Sequence, residues 1–191
     1  MFNIKNIPNF LTILRIILIP SIIICIEADN YNYNWTALIL YIFACFSDFF
    51  DGYLARKFNN VSNLGRVFDP IADKMTIILL LCFFLANYIN KSDDLLIGII
   101  LILIITREIL VSGLREFLGP KGKELRVTQL AKWKTLIQTC MIIILFLDQV
   151  YYFSDNIIIN AIHFFCLLTC FITWYTGFGY IKGGLASVEN D

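Results

Sequence analysis

The sequence predicts an all-α polytopic membrane protein that crosses the bilayer with six transmembrane helices. Three observations support this fold class: the composition, six long apolar segments, and an uneven distribution of basic residues. Of the 191 residues, 59% are hydrophobic and 16% are charged. A soluble domain is about 45–50% apolar and about 25% charged, so the excess of apolar residues favours a lipid environment.

Six apolar segments are long enough to cross the hydrocarbon core, which takes about 20 mostly apolar residues in a helix. They cover residues 10–27, 34–54, 68–90, 95–117, 128–149 and 155–180. Arg15 interrupts the first segment and no small-residue cleavage site follows it, so we expect it to be retained rather than removed as a signal peptide. The connections are short, which predicts a single membrane domain over residues 1–191.

The two predicted sides of the membrane protein differ in their number of basic residues. With six spans, one side holds both termini and, with the adjoining helix ends, every Lys and Arg except Lys91. The opposite side carries Lys91 together with several acidic residues. The positive-inside rule then places both termini in the cytoplasm, in a multi-pass protein of the cell (inner) membrane. The formal net charge is zero, so no nucleic-acid partner is expected.

Four aspartates near the cytoplasmic ends of the second and third spans form the main candidate site. Asp48 and Asp51 are three residues apart, and Asp69 and Asp73 are four apart, so each pair shares one helix face. Charges in apolar spans are costly and need a reason. Two antiparallel helices could bring the four carboxylates together, and such hard oxygen ligands favour Mg²⁺, Mn²⁺ or Ca²⁺ over zinc.

A carboxylate cluster of this size is enough for two metal ions about 3.5–4 Å apart, an arrangement that suits displacement at phosphorus. Gly52, Ala55 and Gly65 lie close to the aspartates in sequence and would let a ligand approach the backbone. Arg56 could reach a phosphate. Helix capping, or ion pairs with nearby basic residues, is the alternative interpretation, and it explains one or two of the aspartates rather than all four.

The segment DFFDGYLARKFNNVSNLGRVFDPIAD (48–73) resembles the signature of the CDP-alcohol phosphatidyltransferases. Eight fixed residues at fixed spacing make this a specific motif, and every position matches. The matching residues are Asp48, Asp51, Gly52, Ala55, Arg56, Gly65, Asp69 and Asp73. The resemblance implies a six-helix membrane fold with its active site at the cytoplasmic side, and a homodimer.

The same resemblance assigns roles to these residues. It implies that the four aspartates bind two Mg²⁺ or Mn²⁺ ions and that Asp73 also acts as the general base. It further implies a CDP-binding site lined by Gly52, Ala55, Arg56 and Gly65. An alcohol is a poor nucleophile until a base removes its proton, which agrees with the role given to Asp73.

Three further stretches resemble the branch of this family whose acceptor is glycerol phosphate. They are NIPNFLTILRIILIP (6–20), TREILVSGLRE (106–116) and AKWKTLIQ (131–138). The implied enzyme of phospholipid biosynthesis transfers the phosphatidyl group of CDP-diacylglycerol to sn-glycerol 3-phosphate and releases CMP. The implied partners are therefore these two substrates and the lipid bilayer.

An acceptor that carries a phosphate needs fixed cations. The candidates are Arg107, Arg115, Lys132 and Lys134. Arg107 lies among apolar residues and therefore needs an anion, and a guanidinium can hold a phosphate with two parallel hydrogen bonds. The alternative is that these cations only contact lipid head groups, and for Lys134 the two interpretations stay equally open.

Two other functions remain open at this point. Another phosphatidyltransferase of the same family, of the cardiolipin, inositol phosphate or serine type, would share the signature but need a different acceptor site. An ion-coupled transporter would also place carboxylates in its spans. The chain shows no internal repeat of the kind common in transporters, and its four aspartates lie at one end of the spans.

We expect the substitution Asp73→Asn to leave the fold intact and to abolish turnover. The amide keeps the size of the side chain but cannot take a proton from the acceptor hydroxyl, and general-base catalysis contributes about 10²–10⁴-fold. CMP release by the purified variant measures the effect. Substantial activity in a well-folded Asp73→Asn protein would contradict the assigned role.

Overall fold

A computed structural model describes the backbone of residues 7–28, 30–58, 63–90, 94–119 and 129–189. The side chains described are those of residues 13–28, 30–47, 71–72, 74–90, 94–119, 129–130 and 133–183. Within these residues the chain forms six α-helices and no strand. The helices are α1 (Ile7–Glu27), α2 (Tyr31–Phe58), α3 (Asn63–Asn90), α4 (Leu95–Leu118), α5 (Gln129–Tyr151) and α6 (Asn156–Glu189).

The six helices lie at the six predicted positions, so the all-α prediction is confirmed. The largest difference is at the end of α6, which continues to Glu189, whereas the apolar segment was predicted to end at residue 180. Apolar residues indicate where a span can lie in lipid, but backbone hydrogen bonding can extend a helix into more polar sequence beyond it.

Three helices begin with a polar side chain that caps the first turn. Asn30 Oδ1 accepts a hydrogen bond from the Asn32 amide, and Asp155 Oδ1 accepts one from the Ile157 amide. Asp94 Oδ1 accepts one from the amide of Ile97 at the start of α4. Each cap satisfies an amide that has no partner inside its helix. Capping accounts for Asp94 and Asp155, two of the acidic residues on the side that the sequence predicts to be poor in basic residues.

The described chain falls into two compact units. Unit 1 consists of Met1–Leu80 with Phe146–Tyr152, and in it α1 packs against α2. The Tyr41 ring stacks on Phe146 with the ring centroids 5.3 Å apart. Asn34 Nδ2 donates a hydrogen bond of 2.8 Å to the Gln149 carbonyl. The α1 side of this core is formed by Ile19, Ile22 and Ile26, whose spacing of three and four places them on one helix face.

Unit 2 consists of Leu81–Leu145 with Phe153–Asp191, and in it α4 packs against α6. Four side-chain contacts join the two helices, and from one contact to the next the residue number rises on both α4 and α6. The contacts are Asp94 with His163, Leu103 with Trp174, Arg107 with Thr176, and Arg115 with Tyr180. The helices α4 and α6 therefore run in the same direction. Because α5 returns the chain from the end of α4 to the start of α6, α5 runs the opposite way.

Several helices have the composition of membrane spans. Among the residues searched, three segments are long and apolar enough to cross a bilayer: Leu95–Leu118, Trp133–Tyr151 and Asn156–Gly183. Lys74–Asn90 is a shorter apolar helical segment. Large apolar side chains are widely exposed on these helices, for example Phe164 at 68% and Phe171 at 69%. Water penalises such exposure and lipid does not, so these helices are those of a membrane protein.

The pair of Asp94 and His163 gives a test of the packing at one end of unit 2. Asp94 caps α4 through one carboxylate oxygen and contacts His163 Nε2 through the other, at 2.7 Å. We expect Asp94→Ala to lower the free energy of unfolding in detergent by about 1 kcal/mol or more, because both contacts are lost. Asp94→Asn should cost less, since asparagine is also a good cap. Equal losses in the two variants would contradict this role.

Candidate functional site

Unit 2 contains a buried cluster of charged side chains, which we call the cation cluster: Arg107, Glu108, Lys134 and Thr176. Arg107 on α4 is 3% exposed, and Glu108 beside it is completely buried. Arg107 Nη1 donates to Glu108 Oε1 at 3.0 Å, and Lys134 Nζ of α5 donates to the same oxygen. One carboxylate therefore joins two cations and links α4 to α5.

The helix α6 completes the surroundings of Arg107. Arg107 Nη2 donates to Thr176 Oγ1 at 2.9 Å, and the Thr176 hydroxyl is also within hydrogen-bond distance of the Ile172 and Thr173 carbonyls. Gly177 lies directly against the arginine, since a Cβ at this position would be 2.9 Å from Arg107 Nε and 3.2 Å from Cγ. The absence of a side chain at Gly177 therefore gives Arg107 its space.

The cation cluster leaves one donor of Arg107 unused. Two buried cations, Arg107 and Lys134, donate to the carboxylate of Glu108 among apolar helices. Arg107 Nε is also buried without a hydrogen-bond partner. A buried charge is costly unless it is paired and hydrogen-bonded. An anionic ligand would supply an acceptor for the remaining donor of Arg107.

The predicted acceptor-phosphate residues are only partly brought together. Arg107 and Lys134 meet through Glu108, as described. Arg115 is exposed near the end of α4, with its guanidinium carbon 4.4 Å from the centre of the Tyr180 ring, a cation–π arrangement. The side chain of Lys132 lies outside the described residues.

The predicted metal and CDP sites also lie outside the described side chains. These residues are Asp48, Asp51, Gly52, Ala55, Arg56, Gly65, Asp69 and Asp73. Their backbone positions do lie in helices: 48 and 51 in α2, and 69 and 73 in α3. The spacings of three and four thus occur within continuous helices, as the prediction requires. Among the described side chains, no three Asp, Glu, His or Cys groups are placed to hold a metal ion.

The sequence profile of the CDP-alcohol phosphatidyltransferases matches residues 5–175, most of the chain. The chain belongs to the CDP-alcohol phosphatidyltransferase family. This result confirms the resemblance read from residues 48–73, and it makes the chain a member of a family of transferases. The match covers segments of both units.

Several curated proteins are similar to the chain, and all three described here are named CDP-diacylglycerol–glycerol-3-phosphate 3-phosphatidyltransferase. The protein of Rickettsia felis is 40% identical over 179 residues, which cover 93% of this chain and 94% of that protein. The protein of Cereibacter sphaeroides is 45% identical over 143 residues, covering 74% of this chain and 63% of that protein. The protein of Mycoplasma genitalium is 35% identical, with 86% of this chain and 75% of that protein covered.

Sequence reasoning found Arg107 and Lys134 but missed the residues that hold them. It predicted an anion for Arg107, and the structure supplies one in the adjacent residue, Glu108. A carboxylate inside an apolar span is itself a signal that could have been used. Thr176 and Gly177 gave no comparable signal, because a threonine and a glycine are common in membrane helices.

Gly177 gives a sharp test of how Arg107 is positioned. We expect Gly177→Ala to force Arg107 from its place, because the new methyl group would clash with the side chain. Gly179→Ala is the matched control, since nothing lies within 4 Å of a Cβ at Gly179 on the same helix. Thermal or denaturant unfolding in detergent should show Gly177→Ala to be less stable than Gly179→Ala by about 1–3 kcal/mol. Equal stability of the two variants would contradict the close approach.

Proposed function

We propose that this protein transfers the phosphatidyl group of CDP-diacylglycerol to sn-glycerol 3-phosphate, giving phosphatidylglycerol phosphate and CMP. The observation that carries the proposal is the pair of buried cations, Arg107 and Lys134, with Arg107 Nε left without a hydrogen-bond partner, in a chain that belongs to this transferase family. The relative from Rickettsia felis, which is similar over 93% of this chain, is named for the same reaction.

The charge of the acceptor suits the buried cations of unit 2. Arg107 and Lys134 both lie beside Glu108 among apolar helices. A phosphate monoester loses its second proton near pH 6, so glycerol phosphate carries about two negative charges at pH 7. Serine has no phosphate and offers no such doubly charged group.

In this proposal Arg107 and Lys134 bind the acceptor phosphate directly. The arginine offers its unpartnered Nε–H, and the ammonium of Lys134 adds a second positive charge close by. Glu108 keeps the two cations side by side when no acceptor is bound. Arg115 and Lys132 remain candidates for the same phosphate, Arg115 from near the end of α4 and Lys132 from its position two residues before Lys134.

The activation of the donor is assigned to the signature residues. We propose that Asp48, Asp51, Asp69 and Asp73 hold two Mg²⁺ or Mn²⁺ ions. The donor set is all oxygen, and it comes from positions three and four apart in continuous helices, which fits these hard cations. Bound metal would neutralise phosphate charge on the departing CMP. Asp73 takes the proton of the attacking hydroxyl, while Gly52, Ala55, Arg56 and Gly65 line the CDP site.

We further propose a six-span topology in the cell (inner) membrane, with both termini and the active site on the cytoplasmic side. The distribution of Lys and Arg supports this orientation. A homodimer is proposed from the family resemblance alone.

The first experiment measures CMP release by the purified protein with CDP-diacylglycerol and Mg²⁺. Four acceptors are compared: sn-glycerol 3-phosphate, phosphatidylglycerol, inositol phosphate and serine. We expect release only with sn-glycerol 3-phosphate, and loss of release when a chelator removes the metal. Release with another acceptor would make the protein a sibling enzyme. No release with any acceptor, from folded protein, would overturn the proposed function.

The role of Arg107 is tested by Arg107→Met, which removes the charge but keeps an apolar stem of similar length. We expect the KM for sn-glycerol 3-phosphate to rise about tenfold or more, because a loss of about 1.4 kcal/mol already weakens binding tenfold. The KM for CDP-diacylglycerol should change little. Lys182→Met, which removes an exposed cation from α6, is the control and should change neither constant. An unchanged KM for the acceptor in Arg107→Met would remove Arg107 from the site.

A further inference from the structure

Gln138 on α5 is completely buried, yet neither its Oε1 nor its Nε2 has a hydrogen-bond partner. A glutamine amide offers two donors and an acceptor oxygen with two lone pairs. Buried polar side chains in native proteins nearly always have a partner, and lipid offers none in place of water. An amide left without any partner inside an apolar helix bundle therefore requires an explanation.

Thr173 on α6 shows the same feature. Its side chain is completely buried and its hydroxyl has no hydrogen-bond partner. Threonines one turn away on either side behave differently, since Thr169 donates to the Phe165 carbonyl and Thr176 can donate to the Ile172 carbonyl. Such a bond to the carbonyl four residues earlier is the usual way in which a helix satisfies a threonine. The hydroxyl of Thr173 has not used it.

Both residues lie next to the cation cluster. Gln138 follows Lys134 by four residues on the same face of α5, which is about 6 Å along the helix axis. Thr173 precedes Gly177, the residue in contact with Arg107, by four residues on α6. Because α5 runs opposite to α6, both residues are displaced from the cluster in the same direction, away from Arg115. Unpartnered donors and acceptors thus lie one turn beyond the cations.

We infer that Gln138 and Thr173 form a subsite for an uncharged hydroxyl group of the acceptor, whose phosphate is held by Arg107 and Lys134. A hydroxyl both donates and accepts, so it can bond with the amide of Gln138 and the hydroxyl of Thr173 without any further charge. In sn-glycerol 3-phosphate this is the C2 hydroxyl, which does not take part in the transfer. The inference rests on the proposed function, because it takes the cation cluster as the phosphate site.

The test compares two acceptors that differ only in this hydroxyl: sn-glycerol 3-phosphate and 3-hydroxypropyl phosphate. Both keep the phosphate and a primary hydroxyl for the reaction. The measured quantity is the ratio of their kcat/KM values. A site that hydrogen-bonds a hydroxyl rejects the analogue lacking it, so we expect the unmodified protein to prefer sn-glycerol 3-phosphate by about tenfold or more.

Gln138→Leu should reduce this preference to within about twofold, because the apolar side chain no longer distinguishes the two acceptors. The variant should fold, since the amide it replaces makes no hydrogen bond. Thr173→Val is a second, nearly isosteric variant with the same expected effect. Ile142→Val is the control, at a buried apolar position one turn beyond Gln138, and should keep the preference of the unmodified protein.

The outcomes separate this inference from the proposed function. Loss of the preference in Gln138→Leu and Thr173→Val, with the preference kept in Ile142→Val, supports the subsite. An unmodified protein that uses both acceptors equally well overturns it, as does a preference that persists in both variants. If only one of the two variants keeps the preference, the residue replaced in that variant does not belong to the subsite. If the unmodified protein uses neither acceptor, the proposed function itself fails.

Discussion

The arrangement of unit 2 depends on one carboxylate, that of Glu108, which accepts hydrogen bonds from Arg107 and Lys134 among apolar helices. Without it, two buried positive charges would repel each other, and removing one partner of a buried ion pair costs about 3–5 kcal/mol. The same contacts determine where the helices meet, because Lys134 joins α5 to α4 and the bond from Arg107 to Thr176 joins α4 to α6. Three helices therefore share one polar layer.

Polar contacts at several positions along α4 and α6 keep the two helices in register around this layer. Asp94 and His163 meet near the start of both helices, and Trp174 Nε1 donates to the Leu103 carbonyl nearer the cluster. Near the end of α4 the guanidinium of Arg115 lies over the Tyr180 ring. Apolar side chains alone specify register weakly in lipid, because the surroundings are as apolar as the helix surfaces. The polar contacts make the position of the cation cluster specific.

The groups that stabilise the packing differ from those left for a ligand. Glu108 and Thr176 satisfy much of the hydrogen-bonding capacity of the cations, whereas Arg107 Nε, Gln138 and the Thr173 hydroxyl have no partner among the described residues. Buried groups of this kind lower stability, and proteins keep such costs mainly where activity needs them. Their position beside two buried cations is what a polar, anionic acceptor would require, in a chain of the CDP-alcohol phosphatidyltransferase family.

Local sequence was enough to predict the helices and the family. Apolar segments located the six helices, the distribution of Lys and Arg predicted an orientation, and the spacing within residues 48–73 indicated the family. These features depend on neighbours within one or two helical turns, so they can be read along the chain. Which distant residues meet depends on how the helices pack. The packing paired Glu108 with Lys134, 26 residues away, and left Gln138 and Thr173 without partners. Such relations depend on the register and rotation of packed helices, and helix periodicity does not specify either.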